Sequence, residues 1–228
     1  MNLRRSLNHI LRPFGYVLSK RDYLAEALEK IIQVKGNLRF LQIGGNDGVS
    51  FDSLYHFVTA NPVSGVVVEP VRIYYSKLKH SYHYYPEIET IQVAVHACQK
   101  EIDIYHVNPE FINKDNAWAA GIGSIDPQHH LKSGIPSEQI IKETVPCVGL
   151  MELIEEKDLF AMDYLQIDTE GYDLEILNNL DFKVCKPSII KFESRLLDQR
   201  SLESYKCNLH REGYTTREIK NDTLCILK

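Results

Sequence analysis

Three acidic side chains lie beside apolar runs that predict buried strands, and their spacing predicts that they meet. Asp168 follows the run 164–167, Glu170 begins the next helical stretch, and Glu193 comes directly after the run 189–192, where the strand should end. Because the carboxyl ends of parallel strands share one edge of a sheet, we expect Asp168 and Glu193 to approach each other. Two chemistries stay open. The carboxylates can accept a proton or bind sugar hydroxyls, or they can join Glu170 in a hard-cation site.

Glu170 has a structural alternative, because an acid in the first turn of a helix is stabilised by the helix dipole. We therefore predict Asp168, Glu170 and Glu193 as catalytic residues and assign no metal ligand, with a divalent metal kept as an alternative.

A glycine-rich turn, "LQIGGNDG", follows the first apolar run and leads into a helical pattern. Glycines let a ligand lie close to the backbone, and the start of the helix offers unpaired N–H groups. Glu69 ends the next run, "VVVEP", about twenty residues after the turn, where a carboxylate can accept both hydroxyls of a ribose. The two features together predict a nucleoside site.

The turn also restricts which nucleoside fits. A dinucleotide fingerprint would require glycines at Asn46 and Val49, and no phosphate-binding G-K-[ST] sequence occurs. S-adenosylmethionine has a ribose and an amino-acid tail but no phosphate, so it fits the turn better than a dinucleotide does.

The elements that must position these residues alternate between strand and helix. Five short apolar runs predict strands buried on both faces, at 38–43, 66–68, 91–95, 164–167 and 189–192. Helical stretches accompany them at 51–60, 73–80, 149–157, 172–180 and 201–212. The alternation predicts an α/β fold with a mostly parallel sheet, and a turn at Asn221-Asp222 predicts a C-terminal antiparallel hairpin.

Two segments flank or interrupt this pattern. Residues 1–36 form an N-terminal helical segment, in which 1–21 are basic and amphipathic and Asp22 caps a second helix. Residues 1–21 can contact an anionic membrane peripherally, or pack on the domain or on a second subunit, so a homo-oligomer stays open. Residues 37–228 form the main domain, and its polar insertion at about 99–145 is predicted to be a lid or binding loop.

Four stretches resemble the FkbM-type methyltransferases: "LQIGGNDG", "VVVEP", "WAAGIGSIDPQHHL" and "YLQIDTEGYDLEIL". The resemblance covers about residues 38–215. It implies a class I, Rossmann-like methyltransferase fold with a seven-stranded sheet and helices on both faces. It also implies S-adenosylmethionine as donor and O-methylation of a hydroxyl on a sugar or glycosylated natural product.

The resemblance selects the base, and the strand ends and aromatic residues add further candidates. His130, in "HHL", falls where the family has its histidine, so we prefer it over His129 as the base. The third run adds Gln92, Ala94 and His96 as candidates for the adenine pocket, and Trp118 with nearby tyrosines offers stacking surfaces for a sugar. The predicted donor-binding residues are Gly44, Gly45, Asn46, Asp47, Gly48, Glu69, Pro70, Gln92, Ala94 and Asp168.

Net charge, cysteine pattern and the length of the apolar runs exclude several classes of protein. A net charge of −5 over 228 residues argues against a nucleic-acid partner. Five scattered cysteines without a C-x-x-C pair indicate a reducing, cytoplasmic location, and no apolar run is long enough to span a bilayer. Two other functions stay open: a nicotinamide-dependent oxidoreductase, and a non-catalytic member that binds nucleoside or tethers a glycan-assembly complex.

Overall fold

The structure is a computed structural model and describes residues 22–50 and 54–228. The helix predicted in residues 1–21, with its membrane or subunit contact, lies outside the described residues. Asp22 caps the first described helix, because its Oδ1 accepts a hydrogen bond of 3.1 Å from the Ala25 N–H. Gly36 ends that helix with a φ of 81°. Both boundaries agree with the sequence prediction.

Strands and helices alternate along the chain. The strands are β1 (Leu38–Ile43), β2 (Val63–Val68), β3 (Ile88–Ile91), β4 (Ala94–Val95), β5 (Glu101–Val107), β6 (Gly123–Ser124), β7 (Ile140–Val148), β8 (Tyr164–Ile167), β9 (Ile189–Glu193), β10 (Tyr214–Ile219) and β11 (Asp222–Leu227). The helices are α1 (Tyr23–Lys35), α2 (Leu54–Val58), α3 (Arg72–Ser81), α4 (His129–Lys132), α5 (Leu150–Glu156), α6 (Asp173–Leu177) and α7 (Gln199–Arg211).

The main sheet has its topological switch at β1. Within the described ranges it contains seven strands in the order β3-β2-β1-β8-β9-β11-β10. Neighbouring strands are parallel from β3 to β9, whereas β11 is antiparallel to both β9 and β10. The chain builds outward from β1 through β2 and β3 and then returns to the other side of β1 with β8. A crevice therefore opens at the carboxyl ends of β1 and β8, where ligands bind in such sheets.

Both faces of the sheet are covered by helices, which confirms the predicted layering. Alternate side chains of β1 enter different cores, with Leu41 on one side and Phe40 on the other. The first core includes side chains from α5, α6 and α7, and the second includes side chains from α1, α2 and α3. Because β1 is buried on both faces, it has the nearly continuous apolar sequence from which the strand was predicted.

The insertion carries more regular structure than its composition indicates. In the part of the chain that the structure describes, β4, β7, β5 and β6 form a second sheet of four strands. β5 and β7 pair antiparallel along their length, from Glu101 opposite Pro146 to Val107 opposite Ile140. The segment of residues 108–139 between them contains α4 and the short 3₁₀ helix Ala117–Gly121.

The third predicted strand, 91–95, is wrong as a single element. β3 ends at Ile91, and after Gln92 and Val93 the chain enters the second sheet as β4. The apolar pattern is continuous because both strands are covered, but their pairing partners differ: β3 pairs with β2, and β4 pairs with β7. A change of pairing partner between two covered strands cannot be detected from the hydrophobicity of the sequence alone.

No helix among residues 22–50 and 54–228 combines the length and the apolar character that a membrane span needs.

Candidate functional site

The turn after β1 brings backbone from three strands together. Gly44 and Gly45 both donate their N–H groups to the Val68 carbonyl, at 3.0 and 2.9 Å. Gly44 has a φ of 84°, and a Cβ at this position would lie 1.8 Å from the backbone oxygen of Asp168. Gly44 therefore allows the ends of β1 and β8 to approach more closely than any side chain would permit.

Glu69, at the end of β2, fixes the conformation of this turn. Its Oε2 accepts a hydrogen bond of 2.8 Å from the Asn46 N–H, and its Oε1 accepts one of 2.9 Å from the Val71 N–H. Asn46 needs this support because its φ is +47°. Each carboxylate oxygen keeps a further lone-pair direction, so Glu69 can order the turn and still accept hydrogen bonds from the hydroxyls of a ligand.

The loop after β8, residues 168–172, carries the predicted acids and is organised by Asp173. The Oδ2 of Asp173 accepts hydrogen bonds from the Thr169 hydroxyl at 3.0 Å and from the N–H groups of Thr169 and Gly171 at 3.4 Å. Its Oδ1 accepts from the Glu193 N–H at 3.2 Å. Asp173 is fully buried, so it links the end of β8 to the end of β9.

The structure brings Asp168, Glu170 and Glu193 together, as their positions at the strand ends predict. One oxygen of each carboxylate lies within 4.8 Å of an oxygen of the other two. Burial, reinforced by the charge of Glu193, raises the pKa of Asp168 well above its ordinary value. Burial, reinforced by Glu170, raises the pKa of Glu193 to about 7. Burial and mutual repulsion therefore disfavour full ionisation of all three carboxyl groups at this edge of the sheet.

Part of the insertion closes the crevice by contacting both loops. The Asn46 side-chain amide donates to the Ala120 carbonyl at 2.9 Å. The Ser124 hydroxyl donates to the Glu170 carbonyl at 3.2 Å, and the His129 Nε2 lies 3.2 Å from the Glu170 Oε2. The insertion is thus anchored to the glycine turn at one point and to the acidic loop at two others.

These elements enclose a cavity of about 760 Å³. This volume falls within the range of small-molecule sites, which is about 300–1,000 Å³. The glycine turn and Glu69 lie on its lining together with the acidic loop, and the insertion adds Trp118 and His129. Trp118 is 49% exposed, so its ring is accessible to a ligand in the cavity.

Most of the predicted site residues line this cavity, and five do not. Those on the lining are Gly44, Gly45, Asn46, Glu69, Pro70, Ala94, Asp168, Glu170 and Glu193. Those outside the lining are Asp47, Gly48, Gln92, His96 and His130.

The residues outside the lining have structural contacts that account for their positions. Asp47 accepts hydrogen bonds from the backbone of Val49 and Ser50. Gly48 has a φ of 78°, and a Cβ there would lie 2.9 Å from the Leu78 side chain. The Gln92 amide is 3.4 Å from the Pro70 carbonyl, next to the cavity but not on its lining.

The histidine pair differs from the sequence prediction. His129 lines the cavity and contacts Glu170, whereas the buried His130 Nε2 lies 3.2 Å from the Ser137 hydroxyl. Successive residues of a helix point about 100° apart, so the backbone of α4 directs only one of the two inward. The third candidate, His96, stacks on Tyr172 at 4.9 Å between ring centroids and also lies outside the lining.

Two contributors were missed at the level of sequence. The position of Asp173 indicated a helix start, because acidic residues are stabilised in the first turn of a helix. Nothing in the sequence shows that its carboxylate also accepts a hydrogen bond from the backbone of β9. Ser124 lies in the stretch "WAAGIGSIDPQHHL" that carries the family resemblance, but its contact with Glu170 depends on how the insertion folds back over the sheet.

Comparison with known proteins identifies the family to which this chain belongs. Residues 42–213 match the Methyltransferase FkbM domain family. A solved FkbM methyltransferase from Methylobacillus flagellatus superposes with a TM-score of 0.50 at 14% identity, over 83% of this chain and 43% of that one. This likeness shows the class I methyltransferase fold, and this chain spans less than half the length of that relative.

A second solved structure is similar at a lower level. An O-methyltransferase from Bacillus cereus in complex with S-adenosylhomocysteine has a TM-score of 0.49 at 10% identity, over 98% of this chain and 90% of that one. Among curated protein sequences, none matches the chain significantly.

Proposed function

Since the chain belongs to the FkbM methyltransferase family, we propose that it transfers a methyl group from S-adenosylmethionine to a hydroxyl oxygen of a sugar or glycosylated small molecule. The observation that carries the proposal is the arrangement around the cavity, with a nucleoside-type turn on one side and a cluster of carboxylates on the other.

The donor is assigned to the β1–β2 side of the cavity. The glycine turn exposes backbone at Gly44 and Gly45, and Glu69 offers the unused lone pairs of both carboxylate oxygens to the ribose hydroxyls. Burial raises the pKa of Glu69 to about 7, against the hydrogen bonds from Val71 and Asn46. A ribose diol that donates two hydrogen bonds favours the ionised form, so donor binding and the ionisation of Glu69 are coupled.

The acceptor is assigned to the acidic side of the cavity. Asp168 and Glu193 can accept hydrogen bonds from several hydroxyls, which favours a polyhydroxylated molecule over a single isolated alcohol. Trp118, half exposed at the same cavity, offers a flat apolar surface of the kind on which a sugar ring packs. These two features support a saccharide as the acceptor class.

The reaction that follows is an in-line displacement. The acceptor oxygen forms a bond to the methyl carbon, the carbon–sulfur bond breaks, and S-adenosylhomocysteine leaves with the bonding electron pair. We assign the hydroxyl proton to His129, which lines the cavity and is oriented by Glu170. The protein mainly has to align the two reactants, because the sulfonium is already activated.

The test is methyl transfer from isotope-labelled S-adenosylmethionine to a panel of sugars, nucleotide sugars and glycosylated small molecules, with product position determined by NMR. We expect label on a hydroxyl oxygen of at least one acceptor. His129→Gln should lose about 100-fold or more in kcat while it retains donor binding, whereas the matched neighbour His130→Gln should keep most of the wild-type rate.

Two results would count against the proposal. Tight donor binding without label on any acceptor would favour a non-catalytic nucleoside-binding member. Thermal stabilisation by a nicotinamide dinucleotide, with none by S-adenosylmethionine or S-adenosylhomocysteine, would favour the oxidoreductase, since a ligand stabilises the native state to which it binds.

A further inference from the structure

We propose that Asp168, Glu170 and Glu193 form a binding site for one divalent, oxygen-preferring cation of the Mg²⁺ class. The cation site stands on its own geometry. Its role in holding the acceptor rests on the proposed function and narrows the acceptor to molecules with adjacent oxygen atoms.

The three carboxylates have the chemistry and the spacing of such a site. Their oxygens lie within 4.8 Å of one another, so that small side-chain movements bring all three onto one ion. Carboxylate oxygens are the ligands that Mg²⁺, Mn²⁺ and Ca²⁺ prefer over nitrogen or sulfur. Asp168 and Glu193 come from the ends of β8 and β9, two paired strands, and this makes the spacing a property of the sheet.

Glu193 gives an independent indication that this cluster can take a ligand. It is 8% exposed, and within the described residues its Oε2 has no hydrogen-bond partner. A buried carboxylate oxygen without a partner is costly, and the Glu193 carboxylate belongs to the same cluster.

The neighbouring cations do not satisfy this oxygen. The Arg195 Nε lies 3.6 Å from the other carboxylate oxygen, Oε1, and its side chain is 58% exposed. The Lys191 Nζ lies 2.9 Å from the Asp222 Oδ2. A cation bound among the three acids would supply the partner that Oε2 lacks, since Arg195 lies beside Oε1 and Lys191 pairs with Asp222.

The fourth acid of this region, Asp173, is not assigned as a ligand. Both of its oxygens already accept hydrogen bonds from the chain, so it holds the acidic loop in shape. Glu170 differs, because its Oε2 contacts His129 while the other carboxylate oxygen can face the ion. Mg²⁺ commonly keeps several coordination positions for water or substrate. Two adjacent hydroxyls of a sugar can occupy such positions, and contact with the ion makes a hydroxyl easier to ionise.

The test uses the full chain, stripped with EDTA and desalted, and titrated with Mn²⁺ while free Mn²⁺ is followed by EPR. Mg²⁺ competition and the melting temperature provide two further measurements. We expect one saturable site, displacement of Mn²⁺ by Mg²⁺, and an increase in melting temperature on adding Mg²⁺. Glu193→Gln and Glu170→Gln should each weaken Mn²⁺ binding at least about tenfold, and Glu193→Gln should abolish the stabilisation by Mg²⁺.

The matched control is Glu155→Gln, which removes the same charge from an exposed position on α5 and should leave Mn²⁺ binding unchanged. The inference is overturned if the wild type shows no saturable site, or if the Glu193 and Glu170 variants, folded by circular dichroism, bind Mn²⁺ as the wild type does.

Donor calorimetry on the same preparation separates this inference from the proposed function. If donor binding and methyl transfer persist in EDTA and no Mn²⁺ site is found, the cation site is rejected and the proposed methyltransferase function is retained. If Mn²⁺ binding is saturable and no donor binds, the cation site is retained and the proposed function is rejected.

Discussion

The ionisation of Glu69 should control donor affinity, and the structure gives the size of the effect. In the free protein the pKa of Glu69 is about 7, and in the complex the ribose hydroxyls require the ionised form. If the bound carboxylate stays ionised throughout, the affinity for S-adenosylhomocysteine should rise about tenfold between about pH 6 and about pH 8. Binding should release about 0.9 proton at about pH 6 and about 0.1 proton at about pH 8.

Isothermal titration calorimetry in buffers with different ionisation enthalpies measures both quantities. Glu69→Gln provides the control, because it keeps the side-chain size and removes the titration. The variant should bind about 100-fold more weakly, from the loss of hydrogen bonds to a charged acceptor, and should lack the pH dependence that Glu69 adds. The reasoning is refuted if affinity and proton release in wild type and variant follow the same pH profile.

The same ionisation has a consequence for stability that can be measured without any ligand. The folded-state pKa of Glu69 is raised above the unfolded value of 4.5, so the folded state binds the proton more tightly. Its stabilising contribution is complete below about pH 4.5 and is lost as pH rises through about 7. Urea unfolding should therefore show that the wild type loses about 2.5 kcal/mol more than Glu69→Gln between about pH 5 and about pH 8. Equal losses in the two proteins would contradict a raised pKa for the buried Glu69 carboxyl group.

Three further outcomes are expected. In urea unfolding, Gly44→Ala should lower the free energy of unfolding by about 3 kcal/mol or more, because its Cβ would lie 1.8 Å from the Asp168 carbonyl oxygen. The control is Gly36→Ala, at a residue with a similar φ of 81° and open space around it. It should lower the free energy of unfolding by only about 1–2 kcal/mol. Trp118→Ala should raise the KM for a sugar acceptor about tenfold, with Trp118→Phe intermediate and donor affinity unchanged; equal KM values would remove the stacking role. Asn46→Ala should increase amide hydrogen exchange in the 3₁₀ helix of the insertion, because its side-chain hydrogen bond to that helix is lost; unchanged exchange would show that this contact does not anchor the insertion.

The central strands could be predicted from sequence because burial on both faces leaves an unambiguous pattern. β1 and β8 have the bounds that their apolar runs indicate, and β9 differs by one residue. The convergence of Asp168 and Glu193 followed from the same reasoning, since parallel strands that end side by side bring their next residues together. Physical rules that act locally or along one sheet edge were sufficient for this part of the site.

The insertion could not be predicted in the same way, because its contacts are long-range in sequence. The choice between His129 and His130 depends on the rotation of α4, which is only four residues long. The continuous apolar run that contains Ala94 conceals a change of sheet, because hydrophobicity reports coverage and not pairing partner. The contact of Asn46 with Ala120 joins residues 74 positions apart, a distance over which no periodicity in the sequence carries information.

A crystal structure of the chain with S-adenosylhomocysteine tests the account most directly. The account predicts that the ligand lies against Gly44 and Gly45, with both ribose hydroxyls within hydrogen-bond distance of the Glu69 carboxylate and the sulfur facing the side of the cavity formed by Asp168 and Glu193. A ligand seated elsewhere, or a ribose turned away from Glu69, would contradict it.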